Sequence, residues 1–389
     1  MTKRLAICVT AFLLAMMACA QDMQETDPAF FQTAEARRIG DQMLLYQRVT
    51  GGWPKNIDMA KPMSEEEKAE VKSAYNRRND STTDNGATTT QMLFLARLYG
   101  APPQPSPIGR EKNGQGVSQK SINQSVNRKY RDAFQRGVEY LLSGQYDNGG
   151  WPQFWPEMRD YQIHITYNDD AMVNTMTLLR DIAEQNEPFQ GKLTSKKLRR
   201  RCMEAFNKGV ECILKTQIRD ANGRLTVWCQ QHDRETFLPA NARTFELASY
   251  CSQESAAIVK LLMQLPNPDD RVKQAIHSAM RWFDEHKIMG MRVERTRDAD
   301  GNRDTRLVAD STAGPFWARY YDLQTEEPFV CDRDGIPRKH LEDIGSERRN
   351  GYSWYGDRPA DLYKRYEKWC KKWGEPYPNF SLLEGSPKG

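Results

Sequence analysis

Three short stretches hold the residue types best suited to chemistry. Ser81-Thr82-Thr83-Asp84-Asn85-Gly86-Ala87-Thr88 and His164-Ile165-Thr166-Tyr167-Asn168-Asp169-Asp170-Ala171 are rich in carboxylate and amide oxygens. Pro239-Ala240-Asn241-Ala242-Arg243-Thr244-Phe245-Glu246 carries an arginine. Taken singly, Asp84, Asn85, Asn168, Asp169 and Asp170 read as helix caps, which accept orphan N–H groups and suit the helix dipole. Two such clusters on equivalent loops point instead to a hard cation. Calcium takes several carboxylate and amide oxygens and leaves positions open for water and substrate. Sulfur and imidazole donors are missing there apart from His164, which argues against zinc or copper. Arg243 has a plain reading as the ion-pair partner of Glu246, three residues on; the alternative is a role at the site.

The elements that must position these stretches come from a repeat. Gly51-Gly52-Trp53-Pro54 recurs as Gly149-Gly150-Trp151-Pro152, each a few residues after a glutamine, Gln47 or Gln145, that closes a helix-like run. Ala133-Phe134-Gln135-Arg136-Gly137-Val138 is echoed by Ala205-Phe206-Asn207-Lys208-Gly209-Val210, and more weakly from Ala275, at a step of roughly 70 residues. The step from Gln47 to Gln145 is longer, and the Pro-, Ser- and Gly-rich segment 102–127 accounts for the excess as a loop insertion. Apolar residues at 3,4 spacing predict helices at Met92–Tyr99, Ala133–Leu142, Met172–Ala183 and Ala256–Leu262, the last stopped by Pro266. Asn222–Cys229 reads as part of a β-hairpin. The expected architecture is mainly α: a toroid of helical hairpins with short β elements in long loops, against the alternative of an irregular bundle. Ring closure would bring the three polar stretches to one rim.

Composition sets the class. The chain has 56 Lys and Arg against 52 Asp and Glu, a near-balance that does not suggest nucleic acid. Lys3 and Arg4, the apolar run Leu5–Met17 and Ala18-Cys19-Ala20 read as a secretory signal over residues 1–20. The rival reading makes Cys19 the lipidated residue of an outer-membrane lipoprotein. No second long apolar stretch predicts a membrane span, so residues 21–389 are expected as a single secreted or periplasmic catalytic domain. Cys202, Cys212, Cys229, Cys251, Cys331 and Cys370 match no zinc spacing, and several lie on apolar helix faces where a buried thiol is the common case.

Six motifs make the reading specific. Gly51-Gly52-Trp53-Pro54-Lys55-Asn56, Asp84-Asn85-Gly86-Ala87-Thr88, Gly149-Gly150-Trp151-Pro152-Gln153, Tyr167-Asn168-Asp169-Asp170-Ala171-Met172, Thr226-Val227-Trp228-Cys229-Gln230-Gln231-His232-Asp233 and Arg243-Thr244-Phe245-Glu246-Leu247 occur in order. Together they resemble the pectate lyases of polysaccharide lyase family 10, from about Ala34 to Asp361. The resemblance implies an (α/α)3 toroid, a calcium requirement and cleavage of polygalacturonate by β-elimination. It implies that Asp84, Asn85 and Asp170 surround calcium, with Asn168 and Asp169 as supports. Arg243 matches the family's proposed base. Guanidinium ordinarily stays protonated, and a neutral fraction needs burial and nearby positive charge. The alternative is that Arg243 stabilises the enolate-like state while hydroxide takes the proton.

A polyanionic substrate also needs cations. Arg319 and Arg333 are candidates for uronate carboxylates, which arginine binds bidentately, with Lys215 and Lys208 weaker candidates. Tyr352, Trp354 and Tyr355 are candidates for stacking on sugar rings or for packing. The chain is expected to work as a monomer, without nucleic-acid partners. Two other readings stand beside the lyase: a non-catalytic pectin-binding protein on the same toroid, which would not need Asp84, Asp170 and Arg243 together, and a terpene-cyclase-like toroid, for which Asn168-Asp169-Asp170 is the closest approach to an acidic motif.

Overall fold

The computed structural model describes residues 25–101, 119–297, 301–378 and 380. The expected signal over 1–20 and most of the expected insertion lie outside the described residues. The chain forms two compact units. The first takes the residues up to Asp147, Trp151–Met158 and Asn174–Asn207; the second takes Asn148–Gly150, Arg159–Val173 and the chain from Lys208 onward. Among the described residues no helix is long and apolar enough to cross a membrane.

The first unit is built on four helices, α1 (Ala34–Tyr46), α2 (Glu65–Ser73), α3 (Thr89–Gly100) and α4 (Gln119–Ser143). Thr33 caps α1 by accepting the Ala36 N–H, and Ser64 closes a capping box on α2. α1 packs on α2, α3 and α4, and α3 packs on α4. Ile39, Met43, Met92, Leu95, Phe134 and Leu141 carry the helical apolar stripes and are fully buried. The start of α4 at Gln119 corrects the expectation of a loop reaching Asn127. Ile122, Val126, Tyr130 and Phe134 recur at every fourth position, so the helical spacing runs back past Asn127 and fails only where Gly114 and Gly116 intervene.

Helices α5 (Ala171–Glu184) and α6 (Lys196–Thr216) each begin in one unit and end in the other. The second unit adds α7 (Ser252–Met263), which packs on α8 (Asp270–Glu285), then α9 (Ser346–Gly351) and α10 (Ala360–Trp373), which returns to α7. Its strands are short. β1 (Ile165–Thr166) pairs with β2 (Gln231–His232), and β3 (Tyr250–Cys251) opens a sheet whose later members follow the hairpin β4 (Met291–Arg297) and β5 (Arg303–Ala309). After β6 (Trp317–Ala318) come β7 (Tyr320–Tyr321), β8 (Pro328–Cys331) and β9 (Pro337–Arg338), which complete the order β3-β7-β8-β9, while β10 (Tyr355–Gly356) pairs with β6. The described chain is thus mainly helical with short strands, and none of its sheets closes on itself. The expected hairpin piece is present: Arg219 bridges Leu225, and Ile218 exchanges hydrogen bonds with Thr226 and Val227.

The repeat has a physical basis in three side-chain bonds. Gln47 Nε2 donates to the Ala133 carbonyl at 2.8 Å, Gln145 to Ala205 at 2.8 Å and Gln217 to Ala275 at 3.0 Å. Each alanine opens the next sequence copy, so a glutamine leaving one helix is tied to the helix of the following repeat. The indole N–H groups of Trp53, Trp151 and Trp228 donate at 2.8 Å to Met43, Leu141 and Ile213. Gly51 and Gly149 have φ of 94° and 95°. A Cβ on them would stand 2.4 Å from Arg136 O and 2.1 Å from Lys208 O. No other residue type fits either place.

Candidate functional site

In the first unit, the Gly51–Asn56 segment holds the acidic loop. Trp53 N donates to Thr88 Oγ1 at 3.0 Å, and Thr88 Oγ1 donates to Thr82 O at 2.8 Å. Asp84 is buried and begins the turn Asp84–Gly86, where Asn85 takes left-handed φ 51°, ψ 31°. Lys55 Nζ pairs with Asp84 Oδ2, and Asn85 Nδ2 donates to Asn56 Oδ1 at 2.9 Å. Neither side chain caps α3, whose N-cap Thr88 makes no side-chain cap bond. The capping reading therefore fails for Asp84 and Asn85.

In the second unit, Asn168–Asp170 form the equivalent turn, with Asp169 at φ 50°, ψ 33°. Both Tyr167 N and Asn168 N donate to Gln230 O, at 2.9 and 3.1 Å. Asn168 Oδ1 accepts from Gln230 Nε2 at 2.5 Å and from Arg319 Nη2 at 3.2 Å. Gln230 Nε2 also donates to Glu246 Oε1 at 3.0 Å. Arg243 grips Glu246 with two bonds, Nε to Oε2 at 2.7 Å and Nη2 to Oε1 at 2.5 Å. Tyr352 OH donates to Glu246 Oε1 at 2.8 Å and shares a 2.6 Å bond with Tyr320 OH. Arg243 and Arg319 both approach the Tyr352 ring, at 5.8 and 4.9 Å from its centroid. Arg319 pairs with Glu254 and lies 3.6 Å from Asp169 Oδ1. Asp170 accepts Arg358 Nη1 with both carboxylate oxygens at 3.0 Å.

Charge follows from these partners. The bidentate bond that Arg243 donates to Glu246 raises its guanidinium above the ordinary value, outweighing burial. This is the reverse of the nearby positive charge that a neutral arginine requires. Burial works to raise Glu246, but Arg243, Gln230 and Tyr352 bring its carboxyl below the ordinary value. Asp170 is raised, first by burial and then by Glu254 and Asp169, against the opposing pull of Arg358. Burial lowers Arg319, but Glu254 together with Tyr320, Tyr352 and Cys251 outweighs it, and the guanidinium stays cationic. Arg319 Nε is buried with no hydrogen-bond partner.

Of the expected residues, the second unit joins Asn168, Asp169, Arg243, Arg319 and Tyr352 into one network, with Asp170 at its margin. Arg333 is exposed and pairs with Glu347 at 2.9 Å, yet its guanidinium reaches the Phe245 ring that also faces Arg243. Trp354 is buried in the core with Phe245 and Tyr320, so packing is its role. Lys215 stands over Phe237 at the end of α6, apart from this network. Asp84 and Asn85 belong to the first unit with Lys55 and Asn56. The sequence did not single out Gln230, Glu254 or Arg358. Gln230 lay inside a quoted motif, Glu254 in the first turn of α7, and Arg358 carried no local signal.

The donor set fits calcium in kind, because Asp84, Asn85 and Asp170 offer hard oxygens alone. Asp170, pressed by burial and by neighbouring carboxylates, is a group whose charge a cation would relieve. No three His, Cys, Asp or Glu side chains among the described residues gather into a metal cage.

Comparison with known proteins agrees in class. Residues 47–105 and 117–363 match the family model for pectic acid lyase, and the chain belongs to that family. The match skips 106–116, the centre of the expected insertion. A family 10 polysaccharide lyase from Cellvibrio cellulosa is similar at 30% identity and TM-score 0.69, covering 92% of this chain and 95% of that one. A mutant of the family 10 lyase from the same organism, in complex with trigalacturonic acid, is similar at 31% identity and TM-score 0.70, covering 88% and 95%. None of the curated proteins matches the chain.

Proposed function

We propose that this protein is an exported, calcium-assisted pectate lyase that cleaves α-1,4-polygalacturonate to 4,5-unsaturated oligogalacturonates, on the family's (α/α)3 toroid. The observation that carries the reading is the pair of guanidiniums, Arg243 and Arg319, held against Tyr352 beside the oxygens of Asn168–Asp170. Two fixed cations of this kind suit a uronate carboxylate.

In the reaction, the C5–H bond and the C4–O4 bond break, a C4=C5 double bond forms, the C5 proton goes to a base and the leaving O4 gains a proton. Negative charge develops on the uronate carboxylate as the C5 proton leaves. Arg243, half exposed while its partner Glu246 is buried, presents a preorganised cation to that charge. Because Glu246 holds the guanidinium protonated, we assign Arg243 the role of electrostatic stabiliser and give the C5 proton to hydroxide. Arg319 and Arg333 hold neighbouring carboxylates, with Lys215 further out. Asp84 and Asn85 in the first unit and Asp170 in the second are the proposed calcium carriers. When bound, calcium supplies Lewis-acid polarisation of the substrate carboxylate.

The test is product absorbance of the unsaturated uronate on polygalacturonate, with calcium and with excess chelator. A calcium-dependent rise supports elimination. No rise from folded protein in either condition removes the lyase reading and leaves a pectin-binding protein. Arg243→Lys then separates the roles. A stabiliser predicts partial activity with the pH dependence kept; a base predicts a rate profile displaced to lower pH, since a lysine loses its proton more readily.

A further inference from the structure

We infer that the recess between the β4–β5 hairpin and residues 349–355 is a subsite for one more uronate carboxylate of the substrate chain, an inference that rests on the lyase reading. The recess measures about 260 Å³ and is lined by Arg295, Arg303, Arg349, Asn350, Tyr352 and Tyr355. Its size, below the roughly 300 Å³ of sites for drug-sized ligands, suits a single sugar. In the hairpin register Arg295 opposes Thr305 and Arg297 opposes Arg303. Strand partners share a face, and so do alternate residues, so Arg295 and Arg303 stand on the same face. On the other face, Arg292 pairs with Glu294 and Asp310, and Arg306 with Asp304. Arg295 and Arg303 have no ion pair with a described carboxylate.

The far wall supplies the complementary groups. Arg349 Nη2 lies 3.3 Å from Asp304, while its Nε is buried without a partner. Asn350 turns its Nδ2 to Ser346, and its Oδ1 is buried without a partner. Cationic donors facing a carboxylate and an acceptor facing a hydroxyl match the two kinds of group on a uronate ring. Tyr352 connects the recess to the network, because it lines the one and donates to Glu246 in the other. A substrate chain that meets Arg243 and continues past Tyr352 therefore reaches a second cationic station. The ligand it selects is an unesterified uronate.

Calorimetric binding of saturated trigalacturonate and hexagalacturonate, run with excess chelator to stop the calcium-assisted reaction, tests this on the full chain. The double variant Arg295→Ala with Arg303→Ala is expected to lose about tenfold in affinity for the hexamer, the scale of one or two charge-assisted hydrogen bonds. Its affinity for the trimer is expected to hold, and a methyl-esterified hexamer is expected to bind both proteins alike. Equal loss on both lengths, no loss on either, or equal response to inorganic sulfate and hexamer overturns the subsite. Should the double variant melt early, the single Arg303→Glu on the exposed hairpin gives the same selective reading. Wild-type protein that binds the hexamer tightly but yields no unsaturated product once calcium is supplied breaks the lyase reading and leaves the subsite standing. A wild type that eliminates yet binds both lengths equally does the reverse.

Discussion

The turns Asp84–Gly86 and Asn168–Asp170 share one backbone, with middle residues at φ 51°, ψ 31° and φ 50°, ψ 33°. Their side chains have parted. In the first turn the partners are Lys55 and Asn56, which follow directly on the Gly-Gly-Trp-Pro loop of the same repeat. In the second they are Gln230, Arg319 and Arg358, drawn from loops far along the chain. The repeat thus fixes a backbone that displays Asp84 and Asn85 in one turn and Asn168, Asp169 and Asp170 in the other, and the surrounding loops decide their charge and company. The first turn is a locally neutralised carboxylate. The second is an oxygen cluster exposed to guanidiniums, which is the more suitable neighbour for an anionic substrate.

The comparison can be broken most sharply by removing one carboxylate from each turn. Asp84→Asn and Asp170→Asn are each expected to lower lyase activity about a hundredfold, the scale of one lost charge-stabilising group. Their effects on stability should differ in sign. Asp84 is buried on its ion pair, and its loss is expected to cost about 1–2 kcal/mol, discounted because Lys55 is partly exposed. The folded-state pKa of Asp170 is raised, so its ionised form is the disfavoured one in the fold. Removing that charge at neutral pH should therefore not lower the melting temperature. Loss of stability in both variants would show the two turns to be electrostatically alike.

Acid should act on the second turn through His232. Its Nε2 accepts the Cys229 N–H at 2.9 Å, so the proton sits on Nδ1 and goes to Phe237 O at 2.9 Å. Burial lowers its pKa to about 4. The contribution is whole above the ordinary value near 6.5 and is lost as pH falls from there to about 4, amounting to about 3 kcal/mol. Denaturant midpoints across that range should fall in the wild type and flatten in His232→Gln. Next in size come Gly51→Ala and Gly149→Ala, each expected to cost about 2 kcal/mol or more by thermal melting, because a Cβ meets a carbonyl oxygen in both. The smallest effect is the most symmetrical. Asn85→Gly and Asp169→Gly should each shift stability by less than about 1 kcal/mol, and by similar amounts, since both relieve the same left-handed strain.

What could be read from the sequence was whatever repeats or sits close along the chain. Gln47, Gln145 and Gln217 stood in register, and each proves to bond an alanine of the next copy. The helices after Asn85, Asn168 and Ser252 were visible in their 3,4 spacing. Glu246 was visible as a neighbour of Arg243, and the ion pair is present. Gln230, Glu254 and Arg358 were not visible as a set, because tertiary folding alone brings them to Asn168, Arg319 and Asp170. The helical start at Gln119 was hidden by a polar, Asn- and Ser-rich composition that resembles a loop residue by residue.

The six cysteines from Cys202 to Cys370 are all buried and unpaired. Burial lifts the thiols of Cys202 and Cys212 to about 12 and of Cys331 to about 11, and raises the other three as well. Protonated and shielded from solvent, they are poor nucleophiles in the native fold. A thiol-specific reagent will therefore read the opening of the chain as a clock, and a reductant will leave its melting curve in place.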